Sequence, residues 1–192
     1  KSSWCTNVLY NDQKMSITVL RIGHRPERDH RITTHVALVS RTFGANSISI
    51  WEKDEKIKKS LDSVCKRWGG DFSVNFETYK QAFKKFEGIS VHLTMYGIPF
   101  EDKIEEIKDS VFKNNKNLMI VIGAEKVPKD IYEMSTYNLS VTNQPHSEIS
   151  ALALFLDRLY DGKEIKKEFK NAKLKIVPSE KGKNILTEET AK

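Results

Sequence analysis

Apolar and polar positions along the chain change between two periods, and this change predicts strands and helices in alternation. Short runs rich in β-branched residues predict strands at residues 17–22, 46–51, 72–76, 89–95, 118–122 and 138–141. Apolar spacing near 3.6 residues predicts helices at residues 35–43, 54–68, 78–86, 101–112 and 147–160. Strands and helices that alternate in this way favour an α/β fold, with a mainly parallel sheet covered by helices.

The two ends of the chain lack this pattern. Residues 1–14 show no clear period, so they are interpreted as an N-terminal extension, and Met15 is a candidate natural start. Residues 15–178 predict one domain, which is large enough to bury a core, with a late strand at residues 173–177. The polar residues 179–192 are expected to form a mobile tail.

Composition restricts the class of partner, the cellular location and the role of the cysteines. The net charge of +6 and the pI of about 9.2 favour a polyanionic partner. No apolar run approaches the roughly 20 residues of a membrane span, and no secretory signal pattern is present, so a cytosolic location is expected. Cys5 and Cys65 have neither metal-binding nor redox spacing, and Cys65 is predicted to be a buried, inert thiol.

Several common catalytic motifs are missing from the sequence. Neither G-x-G-x-x-G after the first strand nor a G-x-x-x-x-G-K-[ST] loop occurs, which disfavours an ordinary dinucleotide site or P-loop. The five histidines form no H-E-x-x-H pair, and no G-x-S-x-G elbow is found. We therefore expect no metal centre.

An arginine-rich segment follows the first predicted strand. Residues 23–31 are predicted to form a loop because they are polar and contain a proline, and together with Arg21 they supply four arginines and two histidines against two acids. Two interpretations stay open from composition alone. The segment is either a solvated loop with local ion pairs or a surface where guanidinium groups bind phosphates.

Two polar loops near the end of the domain form the candidate ligand site. Residues 123–128 follow the strand at 118–122, and residues 143–148 open the last long helix. Loops at the carboxyl ends of parallel strands bind ligands because helix N-termini and free backbone N–H groups converge there. From the residues alone, however, Gly123 may equally serve only as a turn and Ser147 only as a cap.

Six segments of this sequence carry a resemblance to a known family. They are residues 20–29 (LRIGHRPERD), 33–38 (TTHVAL), 41–45 (RTFGA), 92–97 (HLTMYG), 123–128 (GAEKVP) and 143–148 (NQPHSE). This series resembles the archaeal tRNA (cytidine(56)-2′-O)-methyltransferases, which are members of the SPOUT superfamily. The likeness covers about residues 15–178, nearly the whole chain.

The resemblance implies a specific fold and a cofactor. The fold is a Rossmann-like, mainly parallel sheet whose C-terminal part, about residues 118–160, forms a deep trefoil knot that binds S-adenosyl-L-methionine. Threading of this kind is a rare exception among folds. The resemblance assigns the cofactor site to Leu93, Thr94, Gly123, Ala124, Glu125, Lys126, Val127, Asn143, Gln144, Pro145, His146, Ser147, Glu148 and Ile149.

The resemblance also implies a reaction and its participants. The expected activity is transfer of a methyl group to the ribose 2′-hydroxyl of cytidine 56 in the T-loop of tRNA. Arg41 and Glu125 are the expected catalytic residues: Arg41 binds a tRNA phosphate together with the reacting hydroxyl, and Glu125 attracts the sulfonium or orients a loop. A homodimer is expected through the helix at residues 147–160. The tRNA contacts are assigned to Arg21, His24, Arg25, Arg28, Arg31, His35 and Arg41.

Three alternatives compete with this interpretation. A knotted methyltransferase of the same class may act on another RNA nucleotide or on a base atom. A catalytically silent RNA-binding module would keep the fold without the reaction. A flavodoxin-like domain for small ligands fits the strand and helix pattern but leaves the arginine-rich segment unexplained.

Overall fold

Six parallel strands form the central sheet of the molecule. The computed structural model describes residues 15–123 and 126–187. The strands are arranged in the order β3-β2-β1-β5-β4-β6, and each neighbouring pair is parallel. Their bounds are β1 Ile17–Ile22, β2 Ser47–Ile50, β3 Ser73–Phe76, β4 Gly88–Pro99, β5 Asn117–Gly123 and β6 Tyr137–Ser140. The predicted strands within the sheet are thus present, and all their carboxyl ends lie at one edge.

Helices cover both faces of this sheet. Their bounds are α1 Pro26–Thr42, α2 Glu55–Trp68, α3 Tyr79–Lys85, α4 Ile104–Lys108, α5 Lys129–Met134 and α6 Glu148–Tyr160. The larger apolar core joins one face to α1, α2, α4 and α6, whereas the smaller core joins the opposite face to α3 and α5. Because β5 is buried on both faces, it reads as a continuous apolar run.

Helix α1 begins earlier than the sequence pattern predicts. The expected loop at residues 23–31 is wrong, since α1 starts at Pro26 and Thr33 and Thr34 lie inside the helix. Proline is favourable in the first helical turn because its missing N–H has no helical partner there. The carboxylate of Asp29 also accepts hydrogen bonds from the backbone and side chain of Arg25 at 3.1 and 2.8 Å, which stabilises the first turn.

Two further helical segments differ from expectation. The predicted helix at residues 101–112 is divided into a 3₁₀ turn, the short α4 and a π-helical turn at Asp109–Lys113. Helix α5 was not predicted, because its six residues are too few to show a helical period.

The chain takes a long path after the edge strand β6. Asn143 first donates hydrogen bonds to the carbonyl oxygens of Met95 and Gly97, at 2.7 and 3.0 Å, within the bulge in β4. The chain then reaches β1, where Glu148 at the start of α6 forms an ion pair with Arg21 at 3.0 Å. In the strand order, β4 and β5 lie between β6 and β1, so this segment crosses the carboxyl ends of both strands.

The C-terminal segment is more ordered than predicted. Strand β7, Leu174–Val177, pairs antiparallel with β8, Asn184–Thr187, so the expectation of a mobile tail from residue 179 is wrong for β8. The hairpin is joined to the end of α2, because Lys173 donates its backbone N–H to the carbonyl oxygen of Arg67 at 2.9 Å. The predicted N-terminal extension and residues 188–192 lie outside the described residues.

A buried carboxylate connects the first turns of α1 and α2. Asp54 caps α2 by accepting the backbone N–H of Lys56 at 3.0 Å, and it accepts a hydrogen bond from Nδ1 of His30 at 2.8 Å. Burial alone would raise the pKa of Asp54, but the bonds from His30 and Lys56 lower it overall. The ionised carboxylate is therefore the form that the fold uses.

We predict that Asp54→Ala destabilises the protein by about 1–3 kcal/mol, because α2 loses its cap and His30 loses its acceptor. Urea unfolding measured by circular dichroism at pH 7 provides the test. Asp62→Ala is the matched control, since Asp62 is an exposed acid of the same helix, and its effect is expected to stay within about 0.5 kcal/mol. Equal stabilities for the two variants would contradict the assigned role of Asp54.

Candidate active site

A cavity of about 1090 Å³ lies at the carboxyl-end edge of the sheet. It is bordered by the ends of β1, β2, β4, β5 and β6 and by the first turns of α6. Its lining residues are Ile22, Gly23, His24, Arg25, Trp51, Glu52, His92, Leu93, Thr94, Met95, Tyr96, Ile122, Gly123, Lys126, Val127, Tyr132, Val141, Pro145, His146, Glu148 and Ala151. The cavity lies where the loop argument predicted a ligand site.

Three segments predicted to bind the cofactor meet in this cavity. The predicted cofactor residues that line it are Leu93, Thr94, Gly123, Lys126, Val127, Pro145, His146 and Glu148. Gly123 is required by packing, because a Cβ at this position would collide with the side chain of Val127. Gly97 is similarly required, since its Cβ would lie 2.6 Å from the backbone of β6. The two glycines let the strands and their loops approach closely.

Other predicted cofactor residues do not line the cavity. Asn143 joins the loop before α6 to the end of β4, as described above, and Ser147 caps α6 by accepting the backbone N–H of Ile149 at 3.2 Å. Ile149 packs against the core, and Gln144 is exposed. Ala124 and Glu125 lie outside the described residues. Asn143 and Ser147 therefore hold the shape of the loop in this structure.

Arg21 is fully buried, so its predicted role as a tRNA contact is wrong for this structure. Its guanidinium group forms the ion pair with Glu148, and its Nε and Nη1 atoms have no hydrogen-bond partner among the described residues. Burial lowers the pKa of Arg21, while Glu148 raises it. The sequence pattern missed this role because an arginine in an otherwise apolar strand carries no mark of its partner.

His24 and Arg25 line the cavity, but both are engaged in internal contacts. His24 is 1% exposed, and its Nδ1 lies 2.8 Å from the hydroxyl of Thr33. Burial lowers the pKa of His24, against the opposing effect of nearby Asp54. Arg25 is half-buried and binds Asp29 through its side chain. His24 is therefore a wall of the cavity and not the RNA-facing residue that was predicted.

Three of the predicted tRNA contacts form an exposed stripe on α1. Arg28, Arg31 and His35 are all exposed, and their spacing of three and four residues places them on one face of the helix. The stripe starts next to Arg25 at the cavity. This arrangement presents cations along a line that leads away from the site.

Arg41 does not reach the cavity of its own chain. It lies near the far end of α1, roughly 22 Å along the helix from Pro26 at about 1.5 Å per residue. Its Nη2 donates hydrogen bonds to the carbonyl oxygens of Trp68 and Gly69, and its guanidinium lies 4.1 Å from the ring centre of Phe169. With 6% of its surface exposed, Arg41 attaches the C-terminal segment to α2, so the prediction that it is catalytic and binds tRNA is not supported.

Several aromatic and polar residues of the cavity were missed by sequence reasoning. They are Trp51, His92, Tyr96 and Tyr132. Trp51 and Tyr96 lie at strand ends, so the rule that ligands bind there could have identified them from the sequence. Tyr132 belongs to the unpredicted helix α5, and His92 lies inside a strand, so neither had a local signal.

Helix α6 buries most of its apolar side chains within the chain. Leu152, Phe155 and Leu159 are 0% exposed, whereas Leu154 is 47% exposed. Of these residues, only Leu154 is therefore left exposed for the homodimer contact that is expected through this helix. No described helix is both long and apolar enough to cross a membrane.

Sequence comparisons place the chain among RNA-modifying enzymes. The sequence model of the family described as "tRNA ribose 2′-O-methyltransferase, aTrm56" matches residues 68–186. A tRNA (cytidine(56)-2′-O)-methyltransferase of Pyrococcus horikoshii is 55% identical over 172 residues, 88% of this chain and 84% of that protein. The enzyme of the same name from Thermococcus kodakarensis is 58% identical and covers 88% of this chain and 96% of that protein.

Solved structures of methyltransferases share the fold. The SpoU methyltransferase AviRb from Streptomyces viridochromogenes, in complex with the cofactor AdoMet, aligns with a TM-score of 0.54 at 12% identity, covering 79% of this chain and 58% of that chain. A putative methylase family protein from Neisseria gonorrhoeae aligns with a TM-score of 0.55 at 10% identity, covering 91% and 92%. The predicted mainly parallel α/β fold is thereby confirmed. Together with the family match, these likenesses show that the chain belongs to the aTrm56 family of tRNA ribose 2′-O-methyltransferases.

Proposed function

We propose that this protein transfers a methyl group from S-adenosyl-L-methionine to the ribose 2′-hydroxyl of cytidine 56 in tRNA. The observation that carries the proposal is the convergence of three loops with family-type sequences on one cavity at the carboxyl ends of the strands. The substrate named for relatives that are more than half identical supports the choice of nucleotide.

The cavity residues fit a nucleoside cofactor. The volume of about 1090 Å³ is at the upper end of the usual range for small-molecule sites. Leu93, Val127 and Ile122 supply apolar walls, while Thr94 and the backbone at Gly123 supply polar edges. S-adenosyl-L-methionine, when bound, supplies an activated methyl group on a sulfonium. The protein then has to align the acceptor oxygen with that methyl group and exclude water.

A guanidinium group close to the acceptor hydroxyl would assist its deprotonation. We infer that this group comes from the exposed stripe on α1, from Arg28 or Arg31, because Arg41 is buried and already hydrogen-bonded. A guanidinium stays protonated, so it stabilises the emerging alkoxide while a phosphate or a water molecule accepts the proton. The oxygen gains the methyl group, and the sulfonium becomes a neutral thioether.

The roles of Glu125 and His35 rest on the family resemblance. We propose that Glu125 attracts the sulfonium or orients its loop. His35 belongs to the exposed stripe and is interior to α1, so a contact with the RNA fits it.

The exposed stripe also suits a polyanionic substrate. Arg28, Arg31 and His35 would follow the phosphate backbone of tRNA away from the cavity. Binding through such contacts releases counterions, so the affinity falls with rising salt concentration.

We further propose a homodimer in which α6 packs against its counterpart, with Leu154 in the interface. We also propose a cytosolic location, where tRNA is found.

We predict that labelled methyl groups pass from S-adenosyl-L-methionine to an unmodified tRNA transcript and map to cytidine 56. A transcript with 2′-deoxycytidine at this position is the control and is expected to gain no label, since the acceptor oxygen is missing. Label at another nucleotide would favour a knotted methyltransferase of different specificity. If the protein binds tRNA but neither binds nor uses S-adenosyl-L-methionine, the result would favour a silent RNA-binding module.

We predict that the double variant Arg28→Ala/Arg31→Ala lowers kcat by about 100-fold or more at saturating substrates, because the transition state loses its charged donors. Cofactor affinity, measured by calorimetry, is expected to stay unchanged. Arg41→Lys is the comparison: it is expected to lower the melting temperature while retaining turnover, since Arg41 contacts Trp68, Gly69 and Phe169. The reverse pattern in these two variants would refute the assignment to α1.

We predict that Glu148→Gln destabilises the protein by about 3–5 kcal/mol, because it leaves the buried Arg21 without its carboxylate. The double variant Arg21→Met/Glu148→Leu is expected to recover most of this loss, since the uncompensated charge is gone. Chemical unfolding of the unchanged protein, Arg21→Met, Glu148→Leu and the double variant gives the coupling energy. Glu101→Gln changes an exposed acid and serves as the control. Additive effects of the two single changes would argue against the ion pair.

A further inference from the structure

His92 is a buried histidine in the cavity wall that neither the family match nor the proposed mechanism assigns. It lies in β4, and its side chain is 0% exposed. Its Nδ1 is 2.9 Å from the amide oxygen of Asn138, and its ring meets that of Tyr132 edge to face, with centres 4.7 Å apart. The ring is thus held in place on two sides.

The contacts of Asn138 determine which nitrogen of His92 carries the proton. The amide nitrogen of Asn138 donates to the carbonyl oxygen of Tyr132 at 2.9 Å, and a carbonyl oxygen only accepts hydrogen bonds. The amide oxygen of Asn138 therefore faces His92 and also only accepts, so Nδ1 of His92 must be the donor. Burial lowers the pKa of His92, so the ring is neutral at pH 7 and its Nε2 is a bare acceptor.

This acceptor has no hydrogen-bond partner among the described residues. Nε2 of His92 is buried from solvent, and leaving a buried polar atom unpaired is costly. His92 is nevertheless among the residues that line the cavity. An unpaired acceptor on a fixed ring in a ligand cavity indicates a hydrogen bond that forms only with the ligand.

The surroundings restrict the kind of donor that His92 can receive. Leu93, Val127 and Tyr132 make this part of the cavity apolar and aromatic, so an ammonium group would pay a large desolvation cost without a carboxylate beside it. A neutral N–H or O–H on a flat nucleoside fits instead. The nucleoside of a polymeric substrate would enter from the mouth, near the 76% exposed Tyr96, rather than reach a fully buried strand position.

We propose that Nε2 of His92 accepts a hydrogen bond from a neutral donor on the adenosine half of the methyl donor. This inference rests on the proposed function, because it takes S-adenosyl-L-methionine as the ligand of the cavity. Three groups share the required chemistry: the amino group of the adenine and the two ribose hydroxyls. Asn138 is then a positioning residue, since it fixes the tautomer that makes Nε2 an acceptor.

Calorimetry with the complete protein distinguishes these donors. The probes are S-adenosylhomocysteine, its inosine counterpart, and its 2′-deoxy and 3′-deoxy derivatives. We expect that removing the donor that bonds His92 weakens binding about tenfold in the unchanged protein. In His92→Phe, S-adenosylhomocysteine is expected to bind about tenfold more weakly, and the same derivative then binds as well as the parent. Tyr132→Phe keeps the ring beside His92 and is expected to keep the discrimination.

Imidazole ¹⁵N nuclear magnetic resonance tests the inference on the unchanged protein. The Nε2 signal of His92, assigned by its loss in His92→Phe, is expected to show an unprotonated nitrogen that shifts when S-adenosylhomocysteine binds. The derivative that lacks the bonding donor is expected to leave this signal in place.

Two negative results have different meanings in these measurements. If S-adenosylhomocysteine binds but all derivatives bind alike and the Nε2 signal does not move, water alone satisfies the atom and this inference is overturned. If S-adenosylhomocysteine does not bind at all, the proposed function falls together with it.

Discussion

The ion pair between Arg21 and Glu148 is the contact on which the arrangement of the site depends. It joins the end of β1 to the start of α6 at 3.0 Å, across the carboxyl ends of β5 and β4. A fully buried guanidinium with two unpartnered nitrogen atoms contributes little to net stability, since desolvation offsets much of the attraction. Its effect is positional, because α6 can start at only one place if the charge of Arg21 is to be paired. The returning loop is thereby held over the cavity.

Close backbone approach gives the same cavity its remaining walls. Strand β4 pairs with β6 on both sides of a bulge at residues 94–97, and Gly97 lets the two backbones touch. Gly123 allows Val127 to fold back against the end of β5. Larger residues at these two points would collide with the side chain of Val127 and with the backbone of β6. Contacts between the loops thus explain Gly97 and Gly123 without reference to a ligand.

The sheet and the location of the site were predictable from the sequence, because both depend on patterns of period two and on the loops between them. The start of α1 was not, since Pro26 and the arginines resemble a loop, and the Arg25–Asp29 contacts that stabilise the first turn depend on three-dimensional geometry. The same limit applies to Arg21, His92 and Arg41. Each has a partner distant in sequence, namely Glu148, Asn138 and Phe169. Residue type alone does not distinguish a buried ion pair from a phosphate contact.

The corrected position of α1 also separates two uses of arginine on one helix. At its start, Arg28 and Arg31 are exposed beside the cavity, where a charge can meet a polyanion. At its end, the guanidinium of Arg41 stacks on the ring of Phe169 and its Nη2 donates to the carbonyl oxygens of Trp68 and Gly69, and these contacts fix the C-terminal segment to the end of α2. A helix of 17 residues spans the sheet from one edge to the other. Within one chain, the guanidinium of Arg41 and those at the start of α1 are therefore held at opposite ends of the helix.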